Sequence, residues 1–265
     1  MSQTVHINNM PELPFAMEEA INRLRINVGF SSSDTKKVLV ISTVPDEGKS
    51  FIAMHLWYQM AKMGTPSILV DLDLRKSITS DKYDIVADDG RKNFRGTSHY
   101  LSGDYPLKDA ILHTDIPGGD IIPNMNNVVN PAMLIESRKC REMLDSLTES
   151  YRYVFVDAPP LDMVSDGERL GSICDGAILV VRCASTSKHL VRNSIRQLER
   201  ANCPLLGIVL NRAESSKGTY YRKYGRYGRY GSRYGYGYGS SDYYYGSNTA
   251  DENEKHKKKH IGKSK

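Results

Sequence analysis

The chain has 265 residues, 40% hydrophobic and 25% charged, enough to bury one substantial core with appendages. Its four cysteines show no C-x-x-C spacing and no cleavable leader precedes them, which argues against a disulfide-stapled secreted domain, and no apolar run reaches the roughly 18 residues of a membrane helix. The formal charge of +5 is unevenly divided, since residues 213–265 carry 12 Lys/Arg against 5 Asp/Glu while residues 1–212 carry 24 against 26.

In chain order, PFAMEEAINRLRINVGF (14–30) reads as a helix with charges along one side. An apolar strand is predicted over 37–43 and a helix over 50–63. SILVDLD (67–73) is the second strand. A long helix over 131–149 opens with Pro131 at a first helical position, and YRYVFVDAP (151–159) is the third strand. Helices over 165–173 and 186–200 then alternate with strands over 176–182 and 205–211. The strands are almost continuously apolar, as strands covered on both faces must be. Such alternation predicts an α/β fold, a mostly parallel sheet with helices on both faces. After Asn211 the composition turns to Gly, Tyr, Arg and Ser and then to DENEKHKKKHIGKSK, so a folded domain is expected over 1–213 and a flexible tail over 214–265.

Between the first strand and its helix stands STVPDEGKS (42–50). Gly-Lys-Ser at a strand-to-helix junction suits a phosphate, because unpaired backbone N–H groups and the helix dipole face the anion together. Val44, Pro45, Asp46, Glu47, Gly48, Lys49, Ser50 and Phe51 are the expected nucleotide-binding segment, although Thr43 stands where G-x-x-x-x-G-K-[ST] has glycine. Asp71 and Asp73 close the second strand, two apart and so on one face of an extended chain, and Asp157 closes the third. An isolated aspartate at a strand end means little. Three of them beyond the carboxyl ends of strands, beside a phosphate loop, call for a cation, so Ser50, Asp73 and Asp157 are the expected Mg²⁺ ligands. Lys49, Asp71, Asp73 and Asp157 form the predicted catalytic set, with Asp71 as general base.

With these segments in place the chain resembles the bacterial tyrosine autokinases of capsular and exopolysaccharide synthesis, built on a P-loop ATPase related to MinD and ParA. The likeness runs from about residue 14 to the terminus, through STVPDEGKS, ILVDLDLR, VFVDAPP, GTSHYLSG (96–103), NPAMLIESRK (130–139), SDGERLGSICDGAILVVR (165–182) and GIVLN (207–211). Val44 stands where MinD and ParA relatives carry a signature lysine. The resemblance implies ATP and Mg²⁺ as cofactors, Asn211 against the adenine and Asp166 ordering the site.

It also gives the tail a purpose, as the substrate of a neighbouring subunit. Tyr220, Tyr221, Tyr224, Tyr227, Tyr230, Tyr234, Tyr236, Tyr238, Tyr243, Tyr244 and Tyr245, eleven of seventeen tyrosines, are the implied phosphoacceptors. The stretch from Asn211 to Tyr236 spans roughly 25–30 Å as a Gly-rich coil, and its arginines would steer it toward an acidic cleft. Each phosphate adds about −1.5 to −2 charges, so about five would cancel the tail's positive charge.

The family's E-x-x-R-x-x-R ring motif reads Glu19, Asn22 and Arg25, with the first arginine replaced. A homo-oligomeric ring, octameric by family analogy, is implied. So are a separate transmembrane activator and chain-length regulator, because the chain starts at the kinase, and an opposing tyrosine phosphatase. The enzyme is expected to be cytoplasmic, recruited to the inner face of the cell membrane through its partner. Interleaved Tyr, Gly and Arg also suit single-stranded nucleic acid, which makes an ATP-driven switch with a merely binding tail the competing reading. The kinase motifs favour the substrate reading, and no nucleic-acid partner is expected.

Overall fold

The computed structural model describes residues 3–103, 105–125 and 128–213; the eleven tail tyrosines lie outside the described residues. Strand β1 (Gln3–Ile7) is followed by helix α1 (Phe15–Gly29), β2 (Lys37–Ser42), α2 (Lys49–Lys62) and β3 (Ser67–Asp71). Short elements come next: α3 (Thr79–Lys82), β4 (Ile85–Ala87), α4 (Thr97–Leu101), a 3-10 turn (Leu107–Asp109), β5 (Leu112–Thr114) and β6 (Gly119–Ile122). The chain continues as α5 (Pro131–Glu136), α6 (Arg138–Ser150), β7 (Tyr153–Asp157), α7 (Asp166–Gly171), β8 (Gly176–Arg182), α8 (Lys188–Arg200) and β9 (Leu205–Asn211).

One nine-stranded sheet runs in the order β4-β1-β5-β6-β3-β7-β2-β8-β9. From β6 to β9 every neighbour is parallel, and β5 turns antiparallel to β6 to begin a three-stranded extension. Alternate residues of the parallel strands enter two cores. Leu39, Ile41, Ile68, Val70, Val154 and Val156 pack with Ile135, Met143, Leu144 and Leu198 from α5, α6 and α8. Val38, Val40, Leu69, Phe155 and Ile178 pack on the other face with Ile21, Ile52, Leu56 and Trp57 from α1 and α2. This is why the strands lack polar alternation. Truncating fully buried Phe155 to alanine is expected to cost about 3–5 kcal/mol, read as a lower midpoint in urea unfolding with unchanged m-value.

Two expectations are corrected, and four strands are added to those the sequence predicts. The helix over 131–149 breaks at Ser137, which is extended (φ −64°, ψ 147°) and accepts the Cys140 N–H at 3.2 Å, capping α6. β3 ends at Asp71 rather than at 73, so Asp71 and Asp73 do not share a strand face; the chain turns, and the Asp73 N–H donates to Asp71 Oδ1 at 3.1 Å. The added strands are β1, β4, β5 and β6, in segments where the sequence pattern predicts no element. Among the described residues no helix is long and apolar enough to cross a membrane.

Candidate active site

The loop over 43–48 leaves the carboxyl end of β2 and re-enters as α2. Asp46 (φ 62°) and Gly48 (φ 93°) adopt left-handed backbone, which curls it tightly. A Cβ at Gly48 would lie 2.2 Å from Asn211 Nδ2, so a side chain there would push that amide off the Glu47 carbonyl as well as strain the left-handed backbone. No side chain caps α2, and its first-turn N–H groups are left for an anion.

Sheet register assembles the acidic half of the site. β3 and β7 pair with Asp71 opposite Asp157, and the Leu72 N–H donates to the Asp157 carbonyl at 2.8 Å. Lys49 Nζ reaches Asp73 Oδ2 at 2.8 Å, Ser50 Oγ at 3.2 Å and Asp157 Oδ1 at 3.7 Å. Lys49, Asp71, Asp73, Asp157 and Ser50 are thereby brought together from three parts of the chain. Burial opposes the charge on Lys49, yet Asp157 and Asp73 outweigh it and hold its pKa above the usual lysine value. Burial pushes Asp157 upward against the pull of Lys49. Asp71 is pushed up to about 7 by burial and then by Asp157, although Ser77 Oγ donates to it at 2.5 Å.

Sequence reasoning assigned no role to Ser77, Thr97, Arg75 or Asn124. Thr97 Oγ1 donates to the Asp71 carbonyl at 2.6 Å, and Asn124 Nδ2 to the Asp73 carbonyl at 3.4 Å. Arg75 makes a two-pronged pair with buried Asp166, at 2.7 and 3.2 Å, bracing the turn after β3 against α7. Arg75 and Thr97 do fall within the quoted segments ILVDLDLR and GTSHYLSG, which were the available signal.

A cavity of about 320 Å³ opens over the loop, lined by Pro45, Asp46, Gly48, Lys49, Ser50 and Phe51. Val44, Glu47 and Asn211 do not line it. The Val44 N–H donates to the Glu47 carboxylate at 2.9 Å, and Asn211 Nδ2 to the Glu47 carbonyl at 2.7 Å. The cavity's charged lining comprises Lys49, Arg75, Lys76, Lys82 and Arg212 against Asp46 and Asp73. Its mouth is therefore basic, which corrects the expectation of an acidic cleft drawing in the tail's arginines: the other two carboxylates, Asp71 and Asp157, are only 1–2% exposed and sit beneath.

Asp157 Oδ1 is buried without a hydrogen-bond partner, and three carboxylates face one lysine, so the residues fit a divalent cation. Among the described residues no three metal-ligating side chains form a ready-made cage. That suits a cation held by one or two protein groups and completed by phosphate oxygens and water.

A strand, a glycine-lysine loop, an uncapped helix and carboxylates on adjacent parallel strands define a P-loop nucleotide-binding domain. The family described as AAA domain matches residues 35–202. The tyrosine-protein kinase CpsD of Streptococcus agalactiae is 31% identical over 210 residues, covering 78% of this chain and 90% of the relative. Among solved structures, the chimerical protein CapA2B2 superposes with a TM-score of 0.69 at 27% identity, covering 80% of this chain and 93% of that one. The kinase domain of the Escherichia coli tyrosine kinase ETK gives 0.69 at 26% identity, covering 80% and 85%. The chain belongs to the bacterial tyrosine-protein kinases.

Proposed function

We propose that this chain transfers the terminal phosphoryl group of ATP, with Mg²⁺, to the tyrosines over 220–245 of a neighbouring subunit, and so regulates synthesis and export of a capsular or extracellular polysaccharide. The observation that carries the reading is the meeting of Lys49, Asp71, Asp73 and Asp157 at the start of α2. Lys49 and the N–H groups at the start of α2 stabilise charge developing on the transferred group, which is most of what phosphoryl transfer requires. Ser50, Asp73 and Asp157 would hold Mg²⁺, which would supply charge neutralisation at the phosphate oxygens.

Asp71 takes the proton of the incoming phenol. A phenol with a reference pKa of about 10 need not ionise beforehand, and a carboxylate raised toward neutrality is a better match to it than an ordinary one. The basic mouth gives the acceptor no attraction for arginine, so positioning by the neighbouring subunit carries acceptor recognition. Exposed Phe15, Met17, Ile26 and Phe30 on and beside α1 support a contact between copies. Asn22, at the altered ring-motif position, accepts from Arg25 within the same helix at 3.1 Å, so that arginine enters the contact already engaged.

A separate transmembrane activator, an opposing phosphatase and recruitment to the inner face of the membrane complete the proposal. Incubating the full chain with Mg²⁺ and labelled ATP, alone and with the activator's cytoplasmic segment, tests it. Label on the tail tyrosines is the expected result. ATP hydrolysis with an unlabelled tail would instead favour the switch with a binding tail.

A further inference from the structure

Glu47 lies beneath the phosphate loop, 1% exposed, with its carboxylate engaged by the chain itself. Oε2 accepts the N–H groups of Thr43 at 2.7 Å and Val44 at 2.9 Å. Oε1 accepts the Arg182 N–H at 2.9 Å and the Thr186 hydroxyl at 2.5 Å. The Glu47 carbonyl takes Asn211 Nδ2 at 2.7 Å. One residue therefore ties together the loop, the end of β8 with its turn into α8, and the end of β9.

Thr43, which replaces the usual glycine, is keyed in by the same device. Besides its N–H bond to Glu47, its hydroxyl accepts from Ser194 at 3.1 Å and its carbonyl from the Asp162 N–H at 3.0 Å. The first half of the loop is thus spent on the protein, and Pro45 has no N–H to offer. Donors for phosphate come only from the second half, and their direction depends on how the first half is held.

We propose that Glu47 is a positioning residue for phosphate binding: its carboxylate fixes the loop's entry so that the start of α2 and Lys49 converge on the nucleotide. This rests on the nucleotide-site reading but not on the tail as acceptor. A glutamine can keep its oxygen toward Thr43 and Val44 while its amide donates to Thr186, whose hydroxyl rotates to accept; only the Arg182 N–H is orphaned. E47A orphans all four donors, and T186V removes one donor only.

The test measures, on the full chain, affinity for a fluorescent ADP analogue with Mg²⁺, kcat and KM for ATP hydrolysis, and melting of the unliganded protein. Each bond lost loosens the loop's entry and should weaken binding by about 3–10-fold, less than additively where one substitution removes several together. Expected losses of affinity are about 5–10-fold for E47Q, under about 5-fold for T186V and about 100-fold for E47A, with E47Q/T186V worse than the product of the singles. E47Q and T186V retain most of the bonds, so they report even where E47A fails to fold. Unchanged affinity and KM in E47Q and the double variant, with only the melting temperature lowered, would reduce Glu47 to a structural brace and overturn the proposal. A wild-type chain that binds no Mg-ADP would remove the nucleotide reading itself, a different result from wild-type binding that the variants leave intact.

Discussion

Lys49→Met is expected to abolish tail phosphotyrosine, lowering turnover by about 10²–10³-fold or more, the scale of removing one preorganised charge from the transition state. The same substitution has a second, independent signature. Lys49 is the cation at 2.8 Å from Asp73 and 3.7 Å from Asp157, both nearly fully buried, so its loss leaves like charges facing each other. The pKa of Asp157, already pushed up by burial and held back by Lys49, then rises further. A carboxylate raised in the folded state favours folding at low pH and loses that contribution as pH rises through the raised value. The unliganded variant should accordingly melt well below wild type at pH 8 and close to it at pH 5, and Mg²⁺ should narrow the gap at pH 8. Phosphotyrosine that survives Lys49→Met, assayed by mass spectrometry of the tail, would place the chemistry elsewhere.

Asp71→Asn separates function from stability in the opposite direction. Wild-type Asp71 is raised to about 7 by burial and by Asp157, so its ionised form burdens the fold at alkaline pH. Asparagine keeps the contacts: Oδ1 still accepts the Asp73 N–H, and Nδ2 donates to Ser77 Oγ. Removing the charge should stabilise the unliganded protein by roughly 1–3 kcal/mol at pH 8, a rise of several degrees in Tm, by less than half as much at pH 5, and by almost nothing below about pH 4, where the side chain is protonated folded or unfolded. Phosphoryl transfer should fall about 10²-fold or more, while affinity for Mg-ADP stays within a few-fold. A destabilised variant at pH 8 would deny that burial raises this carboxyl, and one that transfers at the wild-type rate would deny Asp71 its role as the base.

The central strands were legible because both faces are covered and their residues are apolar without interruption, as in Val38–Ile41 and Val154–Val156. The loop was legible from Gly48-Lys49-Ser50 at a strand-to-helix junction. β4 and β5, three residues each, are too short to carry a pattern above that of a loop, and β1 leans on them at the same end of the sheet. Ser137 was hidden inside an apolar helical periodicity that continues across the break, and only its capping chemistry marks the boundary. At the site, residue types and strand ends could be read but directions could not. The Val44 N–H, the Glu47 carboxylate and the Asn211 amide sit in the right segments but bond within the protein, and the Arg75–Asp166 pair joins positions 91 apart, which spacing cannot foretell.

The pairing of Asp71 with Asp157 across β3 and β7 makes the chemistry an auditor of assembly. A slip of one residue between those strands would set a valine against the acid and swing one carboxylate to the opposite layer. Fuel would then find no seat, and a misassembled copy would stay silent rather than misfire. Because occupied molecules gain stability in proportion to ligand concentration, a well-fed cell would also preferentially preserve the correctly aligned copies.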